Sequence, residues 1–512
     1  MNFLKKNEFN LIIILSIHFF IRIFIYLFKL KNNQLYFEED YIEAINNNFY
    51  EYIFYHHSLT LGPHIISKTL LSIFGNTNLY FHYYFLNCTY TSIILVVVYQ
   101  INKKFFEKKI FLNIIIFIIS LSLVPYESWR VNHYDHIVLP LLSLLTLFLY
   151  NLFHKKKNQK NEKIIIYYSL VMIFLILSST LFIVFFSITL FCIFIFRKYI
   201  KLDYKKFFFY ILFVIIIFLS LLYKNKIVID QFTPTSIKGW SHIQRTLYSI
   251  GTKNFFDLTL SKIKLTEIYR LCLNDIILNN GKELEKNKSF FLPIVLNQCF
   301  FDFEKKIYDY NKLKDVIYIN KIQDENLFKY IQIDQYNIEN KKWLLSGGHS
   351  DLNLLTTVFF HKESFKIYVN AFKFYPKQML IGSPYSSRGE GLFFSFIKMF
   401  MWGGQLPNYY EPQHTGYTNI YFYFLMILIS IFILISLIFS LVIFFKTFKK
   451  KILSLKLNKT DILISSIFLM IISFIFITAL MTCCENQRNT VMIYPLLIIN
   501  SLLVFLKLIK KI

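Results

Sequence analysis

Apolar runs of about twenty residues recur along this chain, from Leu11 to Phe28 near its start to Met492 to Leu508 near its end. A helix needs about 20 apolar residues to cross a hydrocarbon layer of about 30 Å, and a soluble domain has no place to bury several such runs. The runs are continuous rather than alternating, which excludes a barrel of membrane strands. The fold class that follows is an all-α polytopic membrane bundle.

The formal charge of +25 invites a nucleic-acid partner, and its distribution argues against one. Much of the lysine falls in short clusters between apolar runs: Lys103-Lys104 with Lys108-Lys109, Lys155 to Lys163, Arg197 to Lys206, Lys446 to Lys459 and Lys507 to Lys511. Clusters that fall on one side after every second crossing are the positive-inside pattern, and the partner they imply is the lipid surface. The abundance of Ile, Asn, Lys, Phe and Tyr also resembles the product of an AT-rich coding sequence. Six cysteines scattered over 512 residues do not make a disulfide framework. Lys5-Lys6 followed by an apolar run without a small-residue cleavage site reads as an uncleaved signal anchor.

Ten crossings are expected: about 10–28, 83–100, 110–124, 137–153, two within 164–196, then 207–223, 420–445, 462–481 and 492–508. The stretch Ile164 to Phe196 would be roughly 50 Å long as one helix, well beyond the hydrocarbon layer. Basic clusters flank both of its ends, so a tight hairpin turning near Ser178-Ser179-Thr180 is predicted. Both termini then lie inside. The domains expected are a membrane part, 1–225, with a first outer loop at 30–80; a mixed extracytoplasmic domain, 226–418, that holds most of the Gly and Pro; and the last helices, 419–512. Pro63 to Gly75 has helical spacing, a Gly stop and too little length to span, which places it flat on the membrane surface. Ser364 to Leu380 also has helical periodicity and ends at Gly382.

Three outer segments hold the chemistry. Glu38, Glu39 and Asp40 follow the first helix closely, and acids beside a bilayer are costly to desolvate, so they mark a functional site. Arg22, inside the first helix, has this cluster as its expected partner. The second segment, Pro125 to His136, carries Glu127, Arg130 and Asp135. The third, Thr482 to Asn489, carries Arg488. A cleft built from them offers a carboxylate base and cations at the membrane boundary, which suits group transfer from a lipid-linked phosphate. His56, His57 and His64 with the acids offer imidazole and carboxylate to a divalent metal such as Zn or Mn, although their spacing matches no established metal signature. No other cofactor is expected. Gly347 to Asp351 lacks the Gly-Lys-Ser/Thr ending of a phosphate loop and reads as a turn.

The order of these features resembles a family. An acidic group within about ten residues of the first helix, then Tyr41-Ile42-Glu43-Ala44, then a surface helix from Leu61-Gly62-Pro63 to Phe74-Gly75, is similar to the type C integral-membrane glycosyltransferases. These use polyprenyl-phosphate sugars, as in the protein O-mannosyltransferase, aminoarabinose transferase and lipopolysaccharide-core transferase branches. The stretch Trp129 to His136 and the ending Glu485-Asn486-Gln487-Arg488 before Tyr494-Pro495 add to the likeness, which covers the membrane helices and not 226–418. The resemblance implies Asp40 as general base with Glu39 or Glu38 as the alternate. It further implies Asp135 or Glu127 as the acid that orients acceptor or metal, and Arg488 as the group on the donor phosphate; Arg130 and Arg22 are further candidate substrate contacts read from the residues themselves. The chain departs from the family in the order Glu39-Asp40, in Gly62-Pro63 where the family has two prolines, and in a hairpin turn without a basic residue.

The expected activity is transfer of a hexose or pentose from a polyprenyl-phosphate donor to a lipid, glycan or protein acceptor, with inversion, on the outer face of a bacterial inner membrane. A polysaccharide polymerase or ligase would instead need arginines in the large loop. A transporter would need broken, polar helices at the midplane, and a scaffold would tolerate neutralisation of its acids.

Overall fold

The computed structural model describes residues 6–30, 49–50, 61–75, 79–103, 109–124, 127, 135–154, 162–178, 183–200, 202–229, 238–265, 351–382, 391–393, 396, 420–481 and 492–509. Every regular element among the described residues is helical. In chain order the membrane part contains α1 (Lys6–Ile25, continued by a π turn, Tyr26–Leu30), α2 (Leu61–Phe74), α3 (Leu79–Asn102), α4 (Lys109–Ser122), α5 (Asp135–His154), α6 (Glu162–Ser178), α7 (Ile183–Ile195) and α8 (Tyr204–Ile229). A second group follows, α9 (Lys238–Ile250), α10 (Thr252–Phe256, then a π turn, Asp257–Lys262), α11 (Asp351–Phe374) and α12 (Pro376–Ile381). The chain closes with α13 (Ile420–Ile452), α14 (Lys459–Met481) and α15 (Tyr494–Leu508).

Among the described residues, six helices contain stretches long and apolar enough to cross a membrane: 11–28, 79–102, 136–154, 204–226, 427–452 and 459–480. Shorter apolar helices, α4, α6, α7 and α15, complete the set that the sequence read as crossings. The protein is an all-α membrane protein. Burial separates its layers: 78% of the span in α5 and 72% of that in α14 are buried, against 28% in α1, 22% in α8 and 28% in α13. The central helices are therefore wrapped by protein, while α8 turns Phe208, Phe209, Leu212, Phe213 and Ile216 outward. An outward face so uniformly apolar is stable only against lipid.

The predicted division of the long apolar stretch is present, while residues 179 and 180 of the predicted turn lie outside the described residues. α6 ends at Ser178 and α7 begins at Ile183, so the long apolar stretch is divided into two helices of 17 and 13 residues. Contacts sort the helix ends into two sets. At one end, where most of the lysine clusters lie, His154 Nε2 meets Thr460 Oγ1 at 3.5 Å, Tyr199 donates to the Leu455 carbonyl at 3.4 Å, and Lys507 pairs with Asp461. At the opposite end, called here the Arg22 end, Tyr84 near the start of α3 reaches the Arg22 carbonyl of α1, and Tyr494 at the start of α15 meets Ser122 at the end of α4.

The first-loop helix is where expected and begins two residues earlier. Gly75 closes α2 at φ 65°, a backbone that favours glycine, and its N–H bonds the Leu71 carbonyl at 2.9 Å. One face of α2 is buried, with His64, Ser67, Leu70 and Leu71, against α3 and α6. The region between the membrane parts is helical rather than mixed in its described portion. There α9 to α12 enclose a separate small core of Leu247, Phe255, Leu258, Ile367, Ala371 and Met379. The helix expected over Ser364 to Leu380 is two helices, because Pro376 opens α12 at a position where its missing N–H does no harm.

Candidate functional site

The Arg22 end is built around α1. Its buried residues Leu11, Ile14, His18 and Arg22 recur at three and four residues and so share one stripe, while Ile12, Ile13, Ile17, Phe20, Ile23 and Phe24 face outward. An arginine on the inward stripe of a membrane helix must find an acid there, because an unpaired charge in that environment is untenable. That acid is Glu127, which extends the last turn of α4 through its N–H bond to the Leu123 carbonyl at 3.3 Å.

The pairing is bidentate. Arg22 Nε donates to Glu127 Oε2 at 2.8 Å and Nη2 to Oε1 at 3.1 Å. The remaining guanidinium contacts go to Ser120, from Nη1 to its hydroxyl at 3.1 Å and from Nη2 to its carbonyl. Thr91 Oγ1 donates to Glu127 Oε1 at 2.6 Å, and Asn87 Nδ2 to the Glu127 carbonyl at 3.1 Å. His18 lies beneath: its Nε2 faces the Cys88 carbonyl at 3.1 Å, which can only accept, so Nδ1 accepts from the Ser120 hydroxyl at 2.9 Å. Tyr84 donates to the Arg22 carbonyl at 3.3 Å. A planar fork against a carboxylate fixes both position and orientation, and the satisfied oxygens remove the usual cost of a buried pair.

Among the described residues the partner of Arg22 is Glu127, where the sequence suggested the acid cluster after its own helix, and the pair is enclosed, Arg22 being 1% and Glu127 0% exposed. The guanidinium and both carboxylate oxygens are taken up by each other and by Ser120 and Thr91. Arg22 and Glu127 join the root of the segment that carries Glu38, Glu39 and Asp40 to the root of the segment that carries Arg130. These four residues, with Arg488, His56 and His57, lie outside the described residues, and of Asp135 only its backbone place at the start of α5 is described.

Other contacts draw further segments to the same end. Ser122 Oγ and the Tyr494 hydroxyl lie 2.9 Å apart, both buried, which ties the end of α4 to the start of α15 just after the Arg488 segment. Tyr83 donates to Ser67 Oγ at 2.7 Å, joining α3 to α2. The backbone of α2 meets the end of α6 so closely that a Cβ on Gly62 would lie 3.0 Å from Ser178 Oγ. Tyr368, on α11, donates to the Leu480 carbonyl at 2.8 Å and so seats the second helical group on the end of α14. The three outer segments read from sequence are thus rooted in helix ends that gather at the same end of the bundle.

Compared with protein families, curated proteins and solved structures, the chain shows no match in any of the three. The site therefore stands on its own geometry.

His64 belongs to the same end. Burial, with the Lys224 charge adding to it, pushes its imidazole down to about 3, so it is neutral at physiological pH. Among the described residues no three His, Cys, Asp or Glu side chains gather as metal ligands. The second helical group carries its own polar cluster, where Lys262 Nζ lies 2.8 Å from Asp257 Oδ2 and 2.9 Å from the Tyr375 hydroxyl. Hydrogen bonds from Lys262 and Tyr375 hold the Asp257 carboxyl below its ordinary range, and Lys262 is raised in return. Reading the sequence missed His18, Asn87, Thr91 and Ser120. The signal for one of them was present, since His18 stands four residues before Arg22 in an otherwise apolar helix.

Proposed function

We propose that the protein is a glycosyltransferase that moves a sugar from a polyprenyl-phosphate donor to a hydroxyl of a lipid, glycan or protein acceptor, at the outward face of a bacterial inner membrane. The observation that carries this reading is the gathering, at one end of a membrane bundle, of the helix ends that root the acid segment, the Arg130 segment and the Arg488 segment. A lipid-linked donor has its tail among the helices and its phosphate at their ends, so its chemistry belongs at such a boundary.

In this reading Asp40, or Glu39 or Glu38 beside it, takes the proton of the acceptor hydroxyl. The oxygen attacks the anomeric carbon opposite the phosphate, the bond from that carbon to the phosphate oxygen breaks, and the configuration inverts. Arg488 holds the departing polyprenyl phosphate by charge-assisted hydrogen bonds, with Arg130 beside it. Asp135 orients the acceptor. His56 and His57 are the first residues to replace if transfer proves to need a divalent metal. Arg22 and Glu127 act at one remove, by fixing the roots of the two loops.

Transfer of labelled sugar from polyprenyl-phosphate donors, in membranes that carry matched amounts of protein, tests the proposal. Asp40→Asn is expected to lower transfer by about 10²- to 10⁴-fold, the range a positioned base supplies, and Arg488→Ala is expected to weaken donor use. If Asp40→Asn, Glu39→Gln and Arg488→Ala all transfer like the unmodified chain, the acids are ordinary surface and a polymerase or scaffold role takes precedence.

A further inference from the structure

The second helical group presents a face that its own small core does not use. On α11 the buried positions are Ser364, Ile367, Tyr368 and Ala371, the side that meets α9 and the small core. One step round the helix, Phe365 and Val369 are 52% and 48% exposed, four residues apart and therefore stacked along one line. Lys366 and Lys373 are exposed beside that line, Lys373 on the side away from the core and Lys366 with its amine on the Lys264 carbonyl. A helix that needed only to cover its neighbours would carry polar residues where Phe365 and Val369 stand. An apolar strip edged with lysine is the pattern of a helix lying in a membrane interface, where the apolar side chains enter lipid and the amines meet headgroup phosphates.

The height of the strip favours lipid over any soluble partner. Tyr368 lies between Phe365 and Val369 in the chain, and its hydroxyl bonds the carbonyl of Leu480. Leu480 is the last residue of the span 459–480. The strip thus belongs to a helix that touches the level at which a membrane-crossing helix stops. Headgroups occupy that level. The lysines give the surface a sign, and anionic phospholipid is the lipid class that complements it.

We propose that α11 is an interfacial anchor: Phe365 and Val369 enter the lipid beside the end of α14, and Lys366 and Lys373 bind the phosphates of anionic headgroups. The anchor would hold the second helical group down on the bilayer, over the Arg22 end, and this holds whatever reaction the protein catalyses. A bilayer rich in anionic lipid would fasten it more tightly than a zwitterionic one.

The test uses the full chain in nanodiscs of phosphatidylcholine, with and without phosphatidylglycerol. Cys88 and Cys192 are buried and stay in place; Cys272, Cys299, Cys483 and Cys484 are changed to serine. Nitroxide labels are attached at Val369→Cys, at Lys373→Cys and, as a lipid-facing reference, at Phe213→Cys. Collision rates with oxygen, which concentrates in lipid, and with a neutral nickel chelate, which stays in water, are then compared. Phe213 must report lipid for a preparation to count as folded. The expected result is a severalfold excess of oxygen over nickel at Val369, a lower ratio at Lys373, and a rise in the Val369 ratio when phosphatidylglycerol is added. That rise is expected to vanish in Lys366→Gln/Lys373→Gln. Free access of nickel to Val369 would place the strip in water and overturn the proposal. A label at Val369 that neither reagent reaches would mean that protein covers the strip, either another segment of the chain or a second copy, and would overturn it equally.

Discussion

Arg22 and Glu127 are 105 residues apart in the chain, and their side chains meet at 2.8 Å inside the bundle. The relationship couples α1 to α4 through a pair with almost no access to solvent, so each partner is the other's solvation. Removing one charge leaves the other buried alone, at a cost of about 3–5 kcal/mol, whereas replacing both by apolar groups of similar volume is often near neutral. Arg22→Met and Glu127→Gln are each expected to lower the unfolding midpoint of the purified protein sharply. Arg22→Met with Glu127→Leu is expected to recover much of the loss, and a cycle of thermal unfolding measurements gives the coupling. Strictly additive single effects would mean that the pair is not coupled.

Gly62 stands where α2 meets the end of α6. A Cβ there would approach Ser178 Oγ to 3.0 Å and the Leu177 carbonyl oxygen to 3.1 Å, and the second contact is backbone that cannot turn aside. Gly62→Ala is therefore expected to displace the start of α2 and to destabilise by about 1–3 kcal/mol, as overpacking does. Helix propensity alone would favour alanine over glycine by about 1 kcal/mol. The sign of the change in unfolding midpoint thus decides whether the close approach governs this position.

Ser122 and Tyr494 offer an asymmetric test of the junction between α4 and α15. Ser122 also bonds the Ile119 carbonyl at 2.7 Å, so its hydroxyl keeps a partner if the tyrosine hydroxyl is removed. Tyr494→Phe is then expected to cost about 1 kcal/mol, the net worth of one hydrogen bond. Ser122→Ala takes the Ser122 oxygen away from a buried phenol and is expected to cost more, about 1–3 kcal/mol. Equal effects in unfolding experiments would show that the tyrosine finds another acceptor.

The helices were legible because length and apolarity are strong constraints on a membrane chain. The division between Ser178 and Ile183 followed from an apolar stretch too long for one crossing and basic at both ends. The partner of Arg22 was not legible. The sequence offers a nearer group of acids at Glu38 to Asp40, and nothing local says that α4 ends beside α1 with Glu127 turned inward. Pairing over 105 residues is set by how helices pack, which periodicity does not encode. The break at Tyr375 could have been read from Pro376, whereas the exposed strip of α11 only acquires meaning once Tyr368 fixes its height on α14.

His64 gives the pH dependence that the structure demands. Its folded value is pushed down to about 3, first by burial and then by the Lys224 charge, while an unfolded histidine titrates near 6.5. Between these values the unfolded chain binds a proton that the folded chain refuses, so stability rises with pH across that window. The contribution is fully present above about pH 6.5 and is lost as pH falls toward 3. By about pH 5 the part lost is about 2 kcal/mol, from 1.36 kcal/mol per unit over roughly 1.5 units. Thermal unfolding of the protein and of His64→Gln at about pH 7.5 and about pH 5 isolates this part from every other titrating group. The unmodified protein is expected to lose more stability on acidification than the variant, by about that amount. Parallel losses would mean that His64 takes up its proton in the folded state, and that the contact of α2 with α3 and α6 is open to water.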